Sequence, residues 1–233
     1  MGPPRILMVV TSHGELGATG LKTGLWLEGF AGPYYEFADH GAIVTLASID
    51  GGLPPIDPVS VGRDDVPPAT RRFRSDPAAQ TVLNHSMEIS YARAAEYDGV
   101  FYPGGHGPMW DLATDKVSAN LIGEFAMQGK CIGAVCHAPA ALLQVQLQGV
   151  AFLSGKRLTG FSNAEEELLG LTDEMPFLLE DALSDAGADY VCGKPFEPFV
   201  IADGMLVTGQ NAASSTAAAS EFIKRLQSKT RGY

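Results

Sequence analysis

Cysteine is scarce in this chain, with three among 233 residues. A small, odd number does not suit a disulfide framework and fits free thiols in a reducing compartment. Cys131 and Cys136 share one predicted strand, where five residues at about 3.3 Å each hold them roughly 16 Å apart, beyond disulfide reach. Basic residues are also few, 16 against 27 acidic ones, for a formal charge of −11. A field of that sign repels phosphate backbones and sets nucleic acid aside as a partner. The one basic cluster, Arg71, Arg72 and Arg74, is short and flanked by acids, so it reads as a solvated face. No run approaches the roughly 20 apolar residues of a membrane span. The stretch MGPPRILMVVTSHG carries no basic leader and reads as a first strand rather than a signal peptide. Repeats, low-complexity tracts and long linkers are missing too. The five histidines show no close ligand spacing such as H-E-x-x-H, so no metal is expected. The cytoplasm is the expected compartment.

What is present is an ordinary globular composition, 45% hydrophobic and 18% charged, enough for one large core. Short apolar runs read as buried strands at 5–12, 42–49, 99–105 and in CIGAVC (131–136). Between them, LKTGLWLEGFAGPYYEFADHG reads as a helix with an apolar stripe of Leu25, Phe30 and Phe37, with Pro33 expected to kink it. A Gly/Pro-rich connection from Asp50 to Thr70 is too broken for a regular element. Residues 87–97, VSANLIGEFAMQG, HAPAALLQVQ and a stretch near 174–187 read as helices. KRLTGFS, a strand ADYVCG, a hairpin FVIADGMLVTG and a final helix SSTAAASEFIKRLQS complete the chain, the last with Lys224 and Arg225 late, as its dipole prefers. Strands alternating with helices predict one α/β domain over residues 1–233, with a mostly parallel sheet covered on both faces.

In such sheets, ligands bind beyond the carboxyl ends of the strands. Two predicted strands end in unusual chemistry, YPGGHGP and VCHAPA. Cys136 stands where a strand turns into a run of small residues (Ala138, Ala140), a spacing like the nucleophile elbow of hydrolases. A helix N-terminus there favours a thiolate and binds an oxyanion. Position alone leaves a buried structural thiol equally open, and Cys131 and Cys192 read as structural. Gly104 and Gly105 let backbone N–H groups approach a ligand, or simply form a turn. His106 reads as a loop cap rather than a substrate contact.

AVCHAPA together with FYPGGHGPMWDL resembles the ThiJ/PfpI superfamily, relatives of the class I glutamine amidotransferases. TGLKTGLWLEGFAGPYYEF, GGLPPIDP, LTGFSNAEEE and VTGQNAASS narrow the resemblance to the heat-shock chaperone and glutathione-independent glyoxalase III branch, over about residues 4–227. The resemblance implies a flavodoxin-like sandwich with a nucleophile elbow, usually a homodimer, with Cys136 as nucleophile, His137 beside it and Glu28 as a helix-borne acid. It sets Gly105 as oxyanion-hole backbone, with His106 and Ala138 nearby, and Glu166 as acidic partner of the histidine. Composition alone makes Glu28 a surface acid, yet Trp26, Leu27 and Phe30 around it would raise its carboxyl pKa and suit it to carry a proton. Glu166 also fits a plain helix N-terminus, where Ser162 and Glu165 have capping-box spacing.

Two departures bear on function. No separate His-x-Glu pair of the amidotransferase kind is present, and the metal-binding segment of the longer bacterial chaperones has no match. What the resemblance implies is a cofactor-free glyoxalase III acting on small α-oxoaldehydes such as methylglyoxal, a lyase of the D-lactate dehydratase type. The isonitrile hydratase branch carries Asp where this chain has Glu28, which disfavours that reaction. Deglycation of proteins or nucleotides in the same site, or a holdase chaperone with an exposed apolar patch, are the alternatives.

Overall fold

Ile6, Leu7, Met8, Val9 and Val10 are all fully buried, the mark of a strand covered on both faces. In this computed structural model, which describes residues 2–62 and 66–230, they form β1 (Arg5–Val10). Alternation sorts their side chains. Leu7 and Val9 join a core with Tyr102, Ile132, Ile122 and Phe125. Ile6, Met8 and Val10 join the other, with Phe30, Phe37, Phe101 and Phe222. The helices that supply Phe30, Phe37 and Phe222 are α1 (Leu27–Asp39) and α8 (Ser215–Thr230) on one face, and Phe125 comes from α5 (Lys116–Met127) on the other.

The remaining elements in chain order are β2 (Ile43–Ser48), α2 (Pro58–Gly62), α3 (Pro68–Arg74), α4 (Pro77–Asn84), β3 (Met87–Glu88), β4 (Gly99–Tyr102) and β5 (Cys131–Val135). They are followed by β6 (Gln146–Leu147), β7 (Val150–Ala151), β8 (Arg157–Leu158), α6 (Asn163–Leu169), α7 (Leu179–Asp185), β9 (Asp189–Tyr190), β10 (Val200–Asp203) and β11 (Leu206–Gly209). The main sheet runs β10-β11-β5-β4-β1-β2-β3, parallel except for the antiparallel pair β10 and β11. This is the expected α/β sandwich. Strand order reverses between β1 and β4, the switch point where such sheets open a crevice. β4 and β5 pair in register, Tyr102 opposite Ala134, so both chemical strand ends lie side by side on one rim.

Five local expectations need correcting. The first helix begins only at Leu27, because Gly24 takes φ 146° and Leu25 bridges Ile56 in extended form; Pro33 lies inside the helix. Residues 87–97 are not helical: Met87 and Glu88 pair with β2, and the rest are two 3-10 turns broken by extended Ala92. The stretch after Cys136 is a five-residue 3-10 turn, Ala138–Leu142. It stops because Gln148 and Gly149 both take positive φ, the mark of a tight hairpin loop, and draw Gln146 and Leu147 into pairing with β7. The broken connection holds the short α2, and its residues 63–65 lie outside the described residues. Arg72 is more than a solvated face: it pairs bidentately with Asp39 and lies over the Tyr35 ring.

Candidate active site

Cys136 follows the last residue of β5 with φ 61°, a backbone conformation that costs a non-glycine residue about 1–3 kcal/mol and gathers at functional sites. Its N–H is held by Gly209 O at 2.9 Å. The neighbouring turn from β4 can come this close only because it is glycine: a Cβ on Gly104 would lie 2.4 Å from Cys136 Cβ. A Cβ on Gly105, which takes φ 129°, would meet Gly24 O at 2.0 Å. The N–H groups of Gly105 and His137 are directed at the Cys136 sulfur. Ala138, expected beside them, is fully buried in the 3-10 turn.

His137 is fully buried, with Nδ1 3.3 Å from Cys136 Sγ and Nε2 2.7 Å from Glu166 Oε2. The other carboxylate oxygen, Glu166 Oε1, lies 3.1 Å from His106 Nε2. A carboxylate only accepts, so both imidazoles donate from Nε2. In neutral His137 that leaves a lone pair on Nδ1, aimed at the thiol. The two imidazoles lie tilted against each other at 4.1 Å, and Phe161 packs on His137 at 4.3 Å. His106 therefore holds Glu166 and is not the loop cap expected from sequence. The capping role at α6 belongs to Glu165, which forms a capping box with Ser162. That frees Glu166 to face the histidines.

Burial pushes the Cys136 thiol well up, and the nearby Glu165 and Glu166 carboxylates add to it, against the opposing pull of the Gly105 and His137 N–H groups. The resting group is a thiol, not the thiolate that a helix N-terminus would favour, since only a short 3-10 turn follows it. Burial and the neighbouring His106 lower His137 to about 4, with Glu166 opposing. Burial alone raises the Glu166 carboxyl, but the hydrogen bonds from His106 and His137 outweigh it and bring it down to about 2. At neutral pH the set is thus thiol, neutral imidazole and carboxylate.

Glu28, in the first turn of α1, is half-buried and lines the same cavity of about 430 Å³ as Cys136, His137 and Gly105. Trp26 N–H donates to Gly104 O at 2.9 Å and Leu27 N–H to Ser60 Oγ at 3.1 Å, so the start of α1 is pinned to the glycine turn. His106, His137 and Glu166 also converge as a donor set whose ligand atoms lie within 4.8 Å of one another. Two imidazoles and a carboxylate are able to hold a divalent cation. The expectation of no metal rested on sequence spacing, and the fold gathers donors that spacing keeps apart. Sequence reasoning missed Phe161 and Phe196 as cavity walls and the His106–Glu166 bond, which joins residues 60 positions apart with no local signal.

A cysteine at a strained strand end, backed by a buried His–Glu pair on the carboxyl rim of a parallel sheet, gives this α/β chain the strand-to-turn geometry of a nucleophile elbow. The chain belongs to the DJ-1/PfpI family, whose pattern matches residues 27–225. It is similar to the solved structure of Francisella tularensis Rapid Encystment Protein 24 kDa, with TM-score 0.91 and 37% identity over 96% of this chain and 99% of that one. The crystal structure of glyoxalase III from Candida albicans matches with TM-score 0.88 and 27% identity over 95% and 97% of the two chains. A curated relative, the glutathione-independent glyoxalase HSP31 of Saccharomyces cerevisiae, is 28% identical over 97% of this chain and 100% of its own length.

Proposed function

We propose that this chain is a glutathione-independent glyoxalase that converts methylglyoxal and related α-oxoaldehydes to 2-hydroxy acids. The observation that carries the reading is the Cys136 thiol 3.3 Å from His137 Nδ1 in a cavity it shares with the Glu28 carboxyl. The protein's own thiol supplies what glutathione would otherwise supply. His137 takes the thiol proton as sulfur attacks the aldehyde carbon, giving a hemithioacetal whose oxyanion is met by backbone N–H groups of the Gly105 turn. Glu28 moves a proton from the former aldehyde carbon to the keto carbon through an enediol, leaving a thioester. Water, activated by His137, releases the acid and returns the thiol. The sum is R–CO–CHO plus water giving R–CH(OH)–COOH, an internal redox step with no external oxidant. Mixing pure protein with methylglyoxal and no glutathione should produce lactate, and none would be formed if the reading is wrong.

The finer points of the reading are a lyase-type reaction yielding D-lactate, a homodimer and a cytoplasmic location. Chiral chromatography of the product, light scattering at twice the chain mass and cell fractionation test them in turn.

The protonation states fix the pH response. His137 must be neutral to accept the thiol proton, and its pKa is lowered from 6.5 to about 4. Activity should therefore persist below pH 6 and fall only as pH drops through about 4, on a folded protein. A kcat/KM profile on methylglyoxal that instead breaks near 6.5 would mean an exposed, unperturbed imidazole is the base.

A further inference from the structure

Glu165 is fully buried, sits beside Glu166 in the chain, and takes no part in the relay. Its Oε2 accepts from Ser162 N–H at 3.0 Å and Ser162 Oγ at 2.9 Å. Its Oε1 accepts from Phe196 N–H at 2.8 Å and Asn211 Nδ2 at 2.8 Å. Asn211 Nδ2 also donates to Glu197 O at 2.9 Å. The buried carboxylate thus ties the backbone at Phe196 to the first turn of the helix that carries Glu166. Phe196 takes φ 60°, a left-handed conformation that bulky side chains seldom adopt. The residue is 45% exposed, so core burial does not hold it there. It lines the catalytic cavity with its centroid 6.3 Å from Phe161, the ring that covers His137. Strain held by a buried polar anchor, at an aromatic wall of the site, points to the ligand as its purpose.

The rest of the cavity says what that ligand is. Its volume, about 430 Å³, lies in the range that encloses a drug-sized molecule, whereas methylglyoxal has five non-hydrogen atoms. Trp26, Val59, Phe161, Leu169 and Phe196 contribute apolar surface, and among the described residues that line it none is a lysine or arginine. An anionic substituent would face the Glu28 carboxylate there. We propose that the preferred substrates are 2-oxoaldehydes bearing an apolar, ring-sized substituent, and that Phe196, positioned by Glu165, selects for them; this rests on the glyoxalase reading above. The chemistry is unchanged: the aldehyde carbon is oxidised to a carboxylate, the keto carbon is reduced to a carbinol, and water balances the sum. Phenylglyoxal would give mandelate.

The test compares kcat/KM for phenylglyoxal and methylglyoxal on the purified full chain without glutathione. The wild-type ratio should favour phenylglyoxal, through a lower KM, by about tenfold or more, the scale of filling an apolar pocket. In Phe196→Ala both rates fall, with phenylglyoxal falling about ten times further. Intrinsic aldehyde reactivity cancels when the ratios of the two proteins are compared. Phe196→Tyr, which keeps the ring, should restore the ratio, and 4-carboxyphenylglyoxal should be a poor substrate for wild type. A wild-type ratio favouring methylglyoxal, or the same ratio in wild type and Phe196→Ala, overturns the inference and leaves the glyoxalase reading standing. Should Phe196→Ala not fold, the wild-type ratio and Phe196→Leu, expected between alanine and wild type, decide it. No product from either aldehyde sinks the glyoxalase reading itself, and the inference with it.

Discussion

Cys136→Ser should reduce lactate formation by on the order of 10³-fold or more, the scale on which enzymes lose their nucleophile. Cys131→Ser and Cys192→Ser should keep most of it. The serine would occupy the same strained turn with nearly the same shape, so the fold is not expected to suffer. A hydroxyl, however, is far harder to deprotonate than a thiol, and His137 at about 4 is too weak a base to compensate. Cys131 differs in kind. Its side chain is buried in the apolar layer with Phe101 and Phe222, its thiol 3.9 Å from Phe222 O. A hydroxyl there costs stability rather than chemistry. Cys192 is exposed and lies outside the cavity lining. Turnover by the three purified variants, each at equal folded concentration, separates the cases; an active Cys136→Ser protein would end the mechanism.

The strands were readable because their burial is two-sided. Ile6 to Val10 need no alternation when both faces are covered, so an unbroken apolar run is the signal. The rim was readable for the same reason: β4 and β5 each run into residues that break the pattern, Pro103 with Gly104 and Cys136. The turn after Cys136 was not readable as a turn, since HAPAALLQVQ is a good helical composition and the hairpin at Gln148 and Gly149 overrides it. That local error propagated into the chemistry. A helix dipole would have lowered the Cys136 pKa, whereas burial beside two carboxylates raises it. The assignment of Glu165 and Glu166 shows the opposite limit. Spacing already paired Glu165 with Ser162, but only the third dimension adds Phe196 to its partners and brings a second histidine, His106, to Glu166 beside His137.

Glu28 is the residue whose two readings differ most in what they predict. As a surface acid near a helix N-terminus, it would tolerate Glu28→Gln within about 0.5 kcal/mol of stability and leave catalysis alone. As the proton carrier it would not, because the amide keeps shape and a donor but cannot accept and return a proton. The geometry favours the second reading. Glu28 is half-buried on a cavity with Cys136, and its helix packs so tightly on the glycine turn that a Cβ on Gly29 would lie 3.3 Å from Gly104 N. The expected loss of lactate formation in Glu28→Gln is about 10²- to 10⁴-fold, the range for general acid–base catalysis. Iodoacetamide should still alkylate Cys136 in that variant, showing that the thiol and its turn are intact while turnover has collapsed. Glu28→Asp retains the acid and retracts it by one methylene, a misplacement of about 1 Å that costs roughly 10²-fold. The ordering wild type, then Asp, then Gln follows from proton transfer and from nothing structural, since aspartate and glutamine both fit the space glutamate occupies. Wild-type rates in Glu28→Gln would remove Glu28 from the reaction and leave the hemithioacetal with no group to move its proton.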